Sequence, residues 1–289
     1  MCLVRQAVSE HDTNSAVEPS GSIVGLAWRW RSILGAAVIV AAAVVGGRLI
    51  WEQQGKQVSR DADSLLTAER ITVDGIPDWV TTDLKWQALR NASLDMPLPI
   101  DAPDLERRLA RAFDMHPWVK HVIRVETSHP AAAVVTLTCR EPIAMVRVQG
   151  GLLPVDRDAI LLPSDDFTPN SALQYTVIDG VLTSPRGPVG SPWGDVAVKE
   201  AVSLIETLSP EAAKFGLVEC RRVPRESEEG NWWELVGNDK FSVLFGSAPG
   251  KAVSGEPLAA EKIIRLGELA DRHTSGDVIE NADLTKSLE

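Results

Sequence analysis

The sequence predicts an α+β protein: an N-terminal transmembrane helix, then a βααββ domain, then a mainly antiparallel β domain with flanking helices. Three observations carry this expectation. No acidic residue occurs from Ile23 to Trp51. Over residues 69–141 the hydrophobic period switches between two and about 3.6, in the order strand, helix, helix, strand, strand. From 142 to 289 short apolar runs alternate with frequent turn residues.

The apolar heart of the first run is Ser32 to Gly47, followed by Arg48-Leu49-Ile50-Trp51. Twenty residues at about 1.5 Å each match a hydrocarbon core of about 30 Å. Arg48 would then snorkel to the headgroups, and Trp28, Trp30 and Trp51 flank the span as interfacial aromatics do. Residues 1–31 read as a cytoplasmic tail, 32–51 as the span, and 52–68 as a juxtamembrane linker. A buried soluble helix is one alternative. A cleaved signal peptide is another, with Ala41-Ala42-Ala43 as its small-residue site.

Ile71 and Val73 alternate with polar residues before Gly75, which marks a half-buried strand and a turn. Val80, Leu84 and Ala88 share a helix face. Pro97 and Pro99 break the chain, and a second helix is expected near Pro103 with Asp101 as its cap. That helix points Leu105, Leu109, Ala112 and Phe113 inward, and Glu106, Arg107, Arg108 and Arg111 outward. Two strands come next, joined at Pro130. Alternation puts Val119, His121, Ile123 and Val125 on one face of the first, and Ala133, Val135, Leu137 and Cys139 on one face of the second.

Beyond Pro142, the runs 144–148, 152–155 and 159–162 read as short strands. Residues 232–246 read as a hairpin turning at Gly237-Asn238-Asp239. Helices are expected at about 195–208 and 257–272.

Hydrophobic residues make up 44% of the chain, enough for a packed core. The net charge of -11 repels phosphates and argues against nucleic acid as a partner. Cys2, Cys139 and Cys220 lack metal-ligand spacing, and Cys139 and Cys220 read as apolar strand positions. His116, His121 and His129 do not fit zinc spacing either, and His273 reads as a helix C-terminal partner. No nucleophile or phosphate-binding motif occurs. Asp156 and Asp158 suit hairpin geometry better than an acid/base pair, and Glu226 to Glu229 suits a solvated loop. Trp118 reads as a wedge between helix and sheet. Trp232 and Trp233 must face opposite ways, so one is a hint of a partner surface.

The run from His116 to Val146 resembles the signature of the FtsQ/DivIB cell-division family. Its elements are Pro117-Trp118-Val119, Pro130, Arg140-Glu141-Pro142-Ile143-Ala144, and the hairpin start Val155-Asp156. Weaker similarities are Val177 to Gly180, Ser242 to Gly246, and Asp283-Leu284. Cys139 stands where the family has Glu, Ala159 where it has the turn Gly, and Thr285-Lys286 where it has Arg-Tyr. The resemblance implies a remote relative with a POTRA domain at 69–141 and a β domain at 142–289. It implies a divisome scaffold of the cell inner membrane that makes and breaks no bond, needs no cofactor, metal or small-molecule substrate, and gathers at midcell. A cytoplasmic N-terminus and an extracytoplasmic C-terminal domain are expected from the chain itself, because the 31 residues before the span are few and the large folded part comes after it. Pro117, Trp118, Val119, Arg140, Pro142, Ala144, Val155 and Asp156 would be structural. The segment Val278–Thr285 would form the last strand, open on one edge, to which a coiled-coil partner of the FtsB/FtsL kind adds a strand. Val278, Glu280, Ala282, Asp283 and Leu284 would touch that partner, and a proline at Asn281 or Ala282 would remove the outward N–H. A transport or assembly accessory of POTRA type and a periplasmic hydrolase are the alternatives.

Overall fold

Residues 40, 42–48, 63–224 and 230–286 are described in the computed structural model. Residues 42–48 are helical (α1). The tail expected at 1–31 lies outside the described residues, and so does most of the span expected at 32–51. Among the described residues no helix is long and apolar enough to cross a membrane. The chain divides into two units, residues 1–58 and 59–289.

The larger unit is α+β, with three sheets. It begins with β1 (Leu65–Leu66), a 3₁₀ turn (Ala68–Arg70) and β2 (Ile71–Asp74). The end of the expected linker is thus part of the fold, because Leu66 and Ala68 are buried in its core. Gly75 ends β2 at φ 97, and a Cβ there would lie 2.1 Å from the Leu137 carbonyl oxygen, so only glycine fits. Helix α2 (Leu84–Asn91) starts at Asp83, whose carboxylate accepts from Trp86 N–H and caps the first turn. The short β3 (Leu98–Pro99) pairs with β1. Helix α3 (Leu105–Asp114) begins at Asp104, without a side-chain capping bond. The expected cap, Asp101, instead faces His129 at 3.5 Å, because turns at Ala102 and Leu105 carry the chain past it.

Strands β4 (Val119–Ser128) and β5 (Ala132–Cys139) complete a three-stranded sheet in the order β2-β5-β4, with β2 parallel and β4 antiparallel to β5. Ala133, Val135 and Leu137 are buried, as alternation requires. The expected inner face of β4 is not observed. Register shifts after Val119 and after Val122 insert extra residues, so Val119, Val122 and Val125 pack inward while His121 and Ile123 are exposed. Each bulge flips the residues after it to the other face. Both helices and this sheet enclose one hydrophobic core, centred on Leu89, Leu109, Phe113, Trp118 and Val135.

The second sheet has seven strands: β6 (Pro142–Val148), β7 (Gly151–Asp156), β8 (Thr176–Asp179), β9 (Glu219–Val223), β10 (Trp232–Val236), β11 (Ser242–Ser247) and β12 (Ala282–Asp283). Their spatial order is β12-β11-β10-β9-β8-β6-β7. Three pairings are antiparallel and three parallel, so the sheet is mixed and not mainly antiparallel as expected. The cause is connectivity. The short α4 (Pro169–Ala172) precedes β8, and the 20-residue α5 (Val196–Phe215) returns the chain so that β9 runs alongside β8 in the same direction. Residues 159–162 form no strand. Ala159 adopts φ 57 and folds the chain back, leaving single bridges from Leu161 to Val155 and from Ile160 to Pro192.

Helices α5 and α6 (Ala259–Thr274) pack on one face over a second core that includes Ile178, Val198, Leu208, Trp233, Phe245 and Leu266. Trp233 is fully buried in it, and its neighbour Trp232 is half-buried on the opposite face. That face carries ion pairs across strands, Arg147 to Asp179 (3.3 Å) and Arg221 to Glu234 (3.2 Å), and one along β9, Arg221 to Glu219 (2.7 Å).

Candidate functional site

The edge strand β12 ends the large sheet. The expected strand over Val278–Thr285 is reduced to Ala282–Asp283, pairing in parallel with Val243 and Leu244 of β11. Asn281 explains the shortening: its φ of 56 is left-handed and breaks the extended backbone. Before the break, the Ile279 carbonyl accepts from Ser242 N–H at 2.8 Å. Asn281 N–H is spent on the Ser242 hydroxyl at 2.9 Å. Leu284 N–H donates to the Leu244 carbonyl at 3.0 Å. In a parallel ladder alternate residues face the same neighbour, so Ala282 and Leu284 face β11 and Asp283 faces out. A proline at Asn281 or Ala282 would therefore remove an inward bond; the outward N–H belongs to Asp283.

Among the five residues expected to meet a partner, Val278 and Glu280 are exposed, and Glu280 pairs with Lys240 at 3.7 Å. Ala282 and Asp283 are half-buried, whereas Leu284 is buried in the core. The outer rim is not bare. The Arg265 guanidinium of α6 donates to the carbonyls of Lys286 (2.7 Å) and Asp283 (3.3 Å). A groove of about 230 Å³ runs between α6 and β12, walled by Arg265 and Arg272 and floored by Leu269 and Leu284. Burial works to raise the Asp283 carboxyl, but Thr285 N–H and hydroxyl bonds and the Lys286 charge outweigh it and hold it below the usual range.

The family-motif residues converge elsewhere, at a joint between the two cores. Trp118 is fully buried, and its indole N–H donates to Asp166 at 2.7 Å. Asp166 also accepts from Thr81 N–H and hydroxyl (both 2.7 Å) and from Thr82 N–H (2.6 Å) and hydroxyl (3.3 Å). These donors outweigh the effect of burial and keep its carboxyl below the ordinary value. Arg140 N–H donates to the Trp118 carbonyl at 2.8 Å, and its guanidinium meets the buried Asp156 at 2.7 Å. Asp156 in turn accepts from Asp158 and Ile160 N–H, so the pair Asp156/Asp158 is turn geometry. Val119, Pro142, Ala144 and Val155 are buried around them. Pro117 lies against Gly190, whose φ of 92 and missing Cβ allow a close backbone approach. Sequence reasoning missed Asp166 and its threonines. Their only local signal is Thr81-Thr82-Asp83 ahead of a helix.

A second polar centre was also missed. Lys262 is fully buried, bonded to Glu256 (2.8 Å) and the Ser247 carbonyl (3.0 Å), with its ammonium 4.3 Å from the Phe245 ring centre. Burial pulls the Lys262 pKa down, against the pull of Glu256. This pair holds the loop after β11 to α6. His116 is buried: its Nδ1 accepts from Trp118 N–H (3.3 Å) and its Nε2 meets Gln87 (3.1 Å). Burial lowers its pKa, against the attraction of Asp166. Cys139 and Cys220 are free thiols beside different cores, and burial pushes Cys139 up to about 11. Among the described residues no cluster of three His, Cys, Asp or Glu is placed to hold a metal.

No protein-family model matches this chain, and no curated protein matches it.

Proposed function

We propose that this chain is a membrane-anchored scaffold of the division machinery, of the FtsQ/DivIB kind, that works by recognition and catalyses no reaction. The observation that carries the reading is an arrangement. A strand, two helices and two strands form a sheet whose first strand lies parallel to its last, as in a POTRA domain. A second sheet comes after it and finishes on an edge strand. The motif residues from Pro117 to Asp156 support it by meeting at one buried joint, which is where a family would hold its residue types fixed. Recognition would take place at β12 and its groove. A partner strand would take the Asp283 N–H and place alternate side chains in the groove against the half-buried Leu269. Only two residues of β12 are paired, so side chains in the groove must supply most of the affinity. A membrane coiled coil of the FtsB/FtsL type is the partner this reading names.

A fluorescent fusion to the N-terminus tests the reading in dividing cells. Midcell bands support it; an even envelope signal through the division cycle overturns it. The intact mass of the mature chain tests the anchor separately. A mature N-terminus near Val44 would mean a cleaved signal.

A further inference from the structure

His116 is 5% exposed and sits beside the joint between the two cores. Its ring spends both nitrogens inside the protein. Nδ1 accepts from the Trp118 N–H at 3.3 Å, so it carries no proton. Nε2 then holds the proton and donates to the Gln87 side-chain oxygen of α2 at 3.1 Å. Two residues along, the Trp118 indole N–H donates to Asp166 at 2.7 Å. One tryptophan therefore takes its backbone position from His116 and its tie to the second core from Asp166. Asp166 is the charged group that acts on the His116 ring, and it favours a proton there, but burial outweighs it and lowers the His116 pKa. The charged side chains nearest along the chain, Asp114 and Lys120, are exposed, and Lys120 pairs with Asp158 at 3.5 Å.

We infer that His116 is an acid-operated latch on this joint: a proton taken up from solvent at Nδ1 ends the bond to the Trp118 amide and loosens the indole from Asp166. A protonated imidazole has two donors and no acceptor. The Trp118 N–H then faces another N–H, and the ring holds a charge in a site cut off from water. Both costs are relieved when the ring leaves its place, and the backbone at Trp118 moves with it. The other ties between the cores, Trp79 to the Arg140 carbonyl and Arg140 to Asp156, use no histidine, so mild acid weakens the joint without undoing it. An unfolded histidine takes up its proton near pH 6.5, above the folded value. The contribution of neutral His116 is therefore complete above 6.5 and is lost as pH falls below it towards the folded value. Asp166 keeps its charge at the start of this window, because its own pKa lies below the ordinary 3.8.

Heteronuclear NMR of the full chain in detergent micelles, isotope-labelled at histidine and tryptophan, reads the latch directly. Spectra are followed from about pH 8 to about pH 4, which brackets the histidine transition. The His116 and Trp118 signals are those missing from His116→Asn and Trp118→Phe. The His116 ring should begin as the Nε2–H tautomer and take up its proton at a midpoint below 6.5. The Trp118 indole signal should shift with the same midpoint, as its bond to Asp166 lengthens. In His116→Asn the side-chain oxygen still accepts from an N–H two residues on and takes up no proton, so the indole signal should stay in place over the whole range. His116→Gln serves the same purpose if His116→Asn does not fold. An indole signal unmoved down to about pH 4 overturns the inference, whether or not the His116 ring has titrated, because any later shift belongs to carboxylates. So does an indole midpoint that differs from that of the ring, or an indole shift that persists when His116 is replaced.

Discussion

Asp166 accepts five hydrogen bonds, four from Thr81 and Thr82 and one from Trp118. Asp166→Ala leaves those donors without their partner, at about 1–3 kcal/mol for each one that water cannot reach. Its folded pKa lies below the ordinary 3.8, so the sign is that of a stabilising carboxylate. The stabilisation is complete above the unfolded value and is lost as pH falls through the lower folded value. Urea midpoints of the wild-type chain and Asp166→Asn, measured from pH 7 down to 2.5, should converge at the acid end. Midpoints that stay equally far apart would show that Asp166 is not the titrating group. Trp118 allows a finer dissection. Trp118→Ala should destabilise by about 3–5 kcal/mol, as large core aromatics do. Trp118→Phe keeps most of the packing and loses only the indole donor, so about 1–2 kcal/mol is expected. Equal losses for the two variants would mean that packing contributes nothing at this position.

At the scale of elements, β12 shows how a short strand can be an edge without becoming a hazard. Unpaired edges recruit other chains. Here the outward carbonyls at Asp283 and Lys286 are taken by Arg265. The left-handed Asn281 also keeps the strand at two residues. The free group is the Asp283 N–H. Asp283→Pro removes it while leaving the bonds to β11, and proline also favours the extended backbone that Ala282 already has. Asp283→Ala keeps the N–H and loses the same carboxylate, so the two variants isolate the donor. In pull-downs from native membranes, the proline variant should lose partners that the alanine variant keeps, with circular dichroism unchanged in both. Retention by both variants would leave the groove side chains as the whole of the recognition. The long edge strand β4 is protected differently: two bulges and the exposed Lys120 and Arg124 interrupt it.

At the scale of the whole molecule, two cores share one joint. Residues 59–289 form a single unit although each core has its own sheet. Bonds from Trp118 to Asp166, Trp79 to the Arg140 carbonyl (3.2 Å), and Arg140 to Asp156 bind one to the other. Unfolding should therefore be a single transition. Trp118 reports on the first core and Trp233 on the second, so two single-tryptophan variants should give one midpoint. Adding Asp166→Ala with Arg140→Ala should split it into two. A split already present in the parent chain would show that the cores fold independently.

The sequence by itself determined the order of elements and most of the buried faces. Helices α2 and α3, strands β2 and β5, and the hairpin of β10 and β11 arise from periods of two and about 3.6, which are local properties of the backbone. Trp118, legible as a wedge between helix and sheet, is fully buried. Tertiary structure alone decided three things. Bulges reset the face of β4, because an inserted residue leaves no mark in composition. The parallel pairings of β8 came from the connections on either side of it and not from strand content: the stretch carrying α4 brings it beside β6, and α5 brings β9 beside it. Asp166 found its partners 48 to 85 residues away in the chain. A carboxylate in a loop carries no periodic signal. Its role exists only once two separate cores bring a tryptophan and two threonines against it.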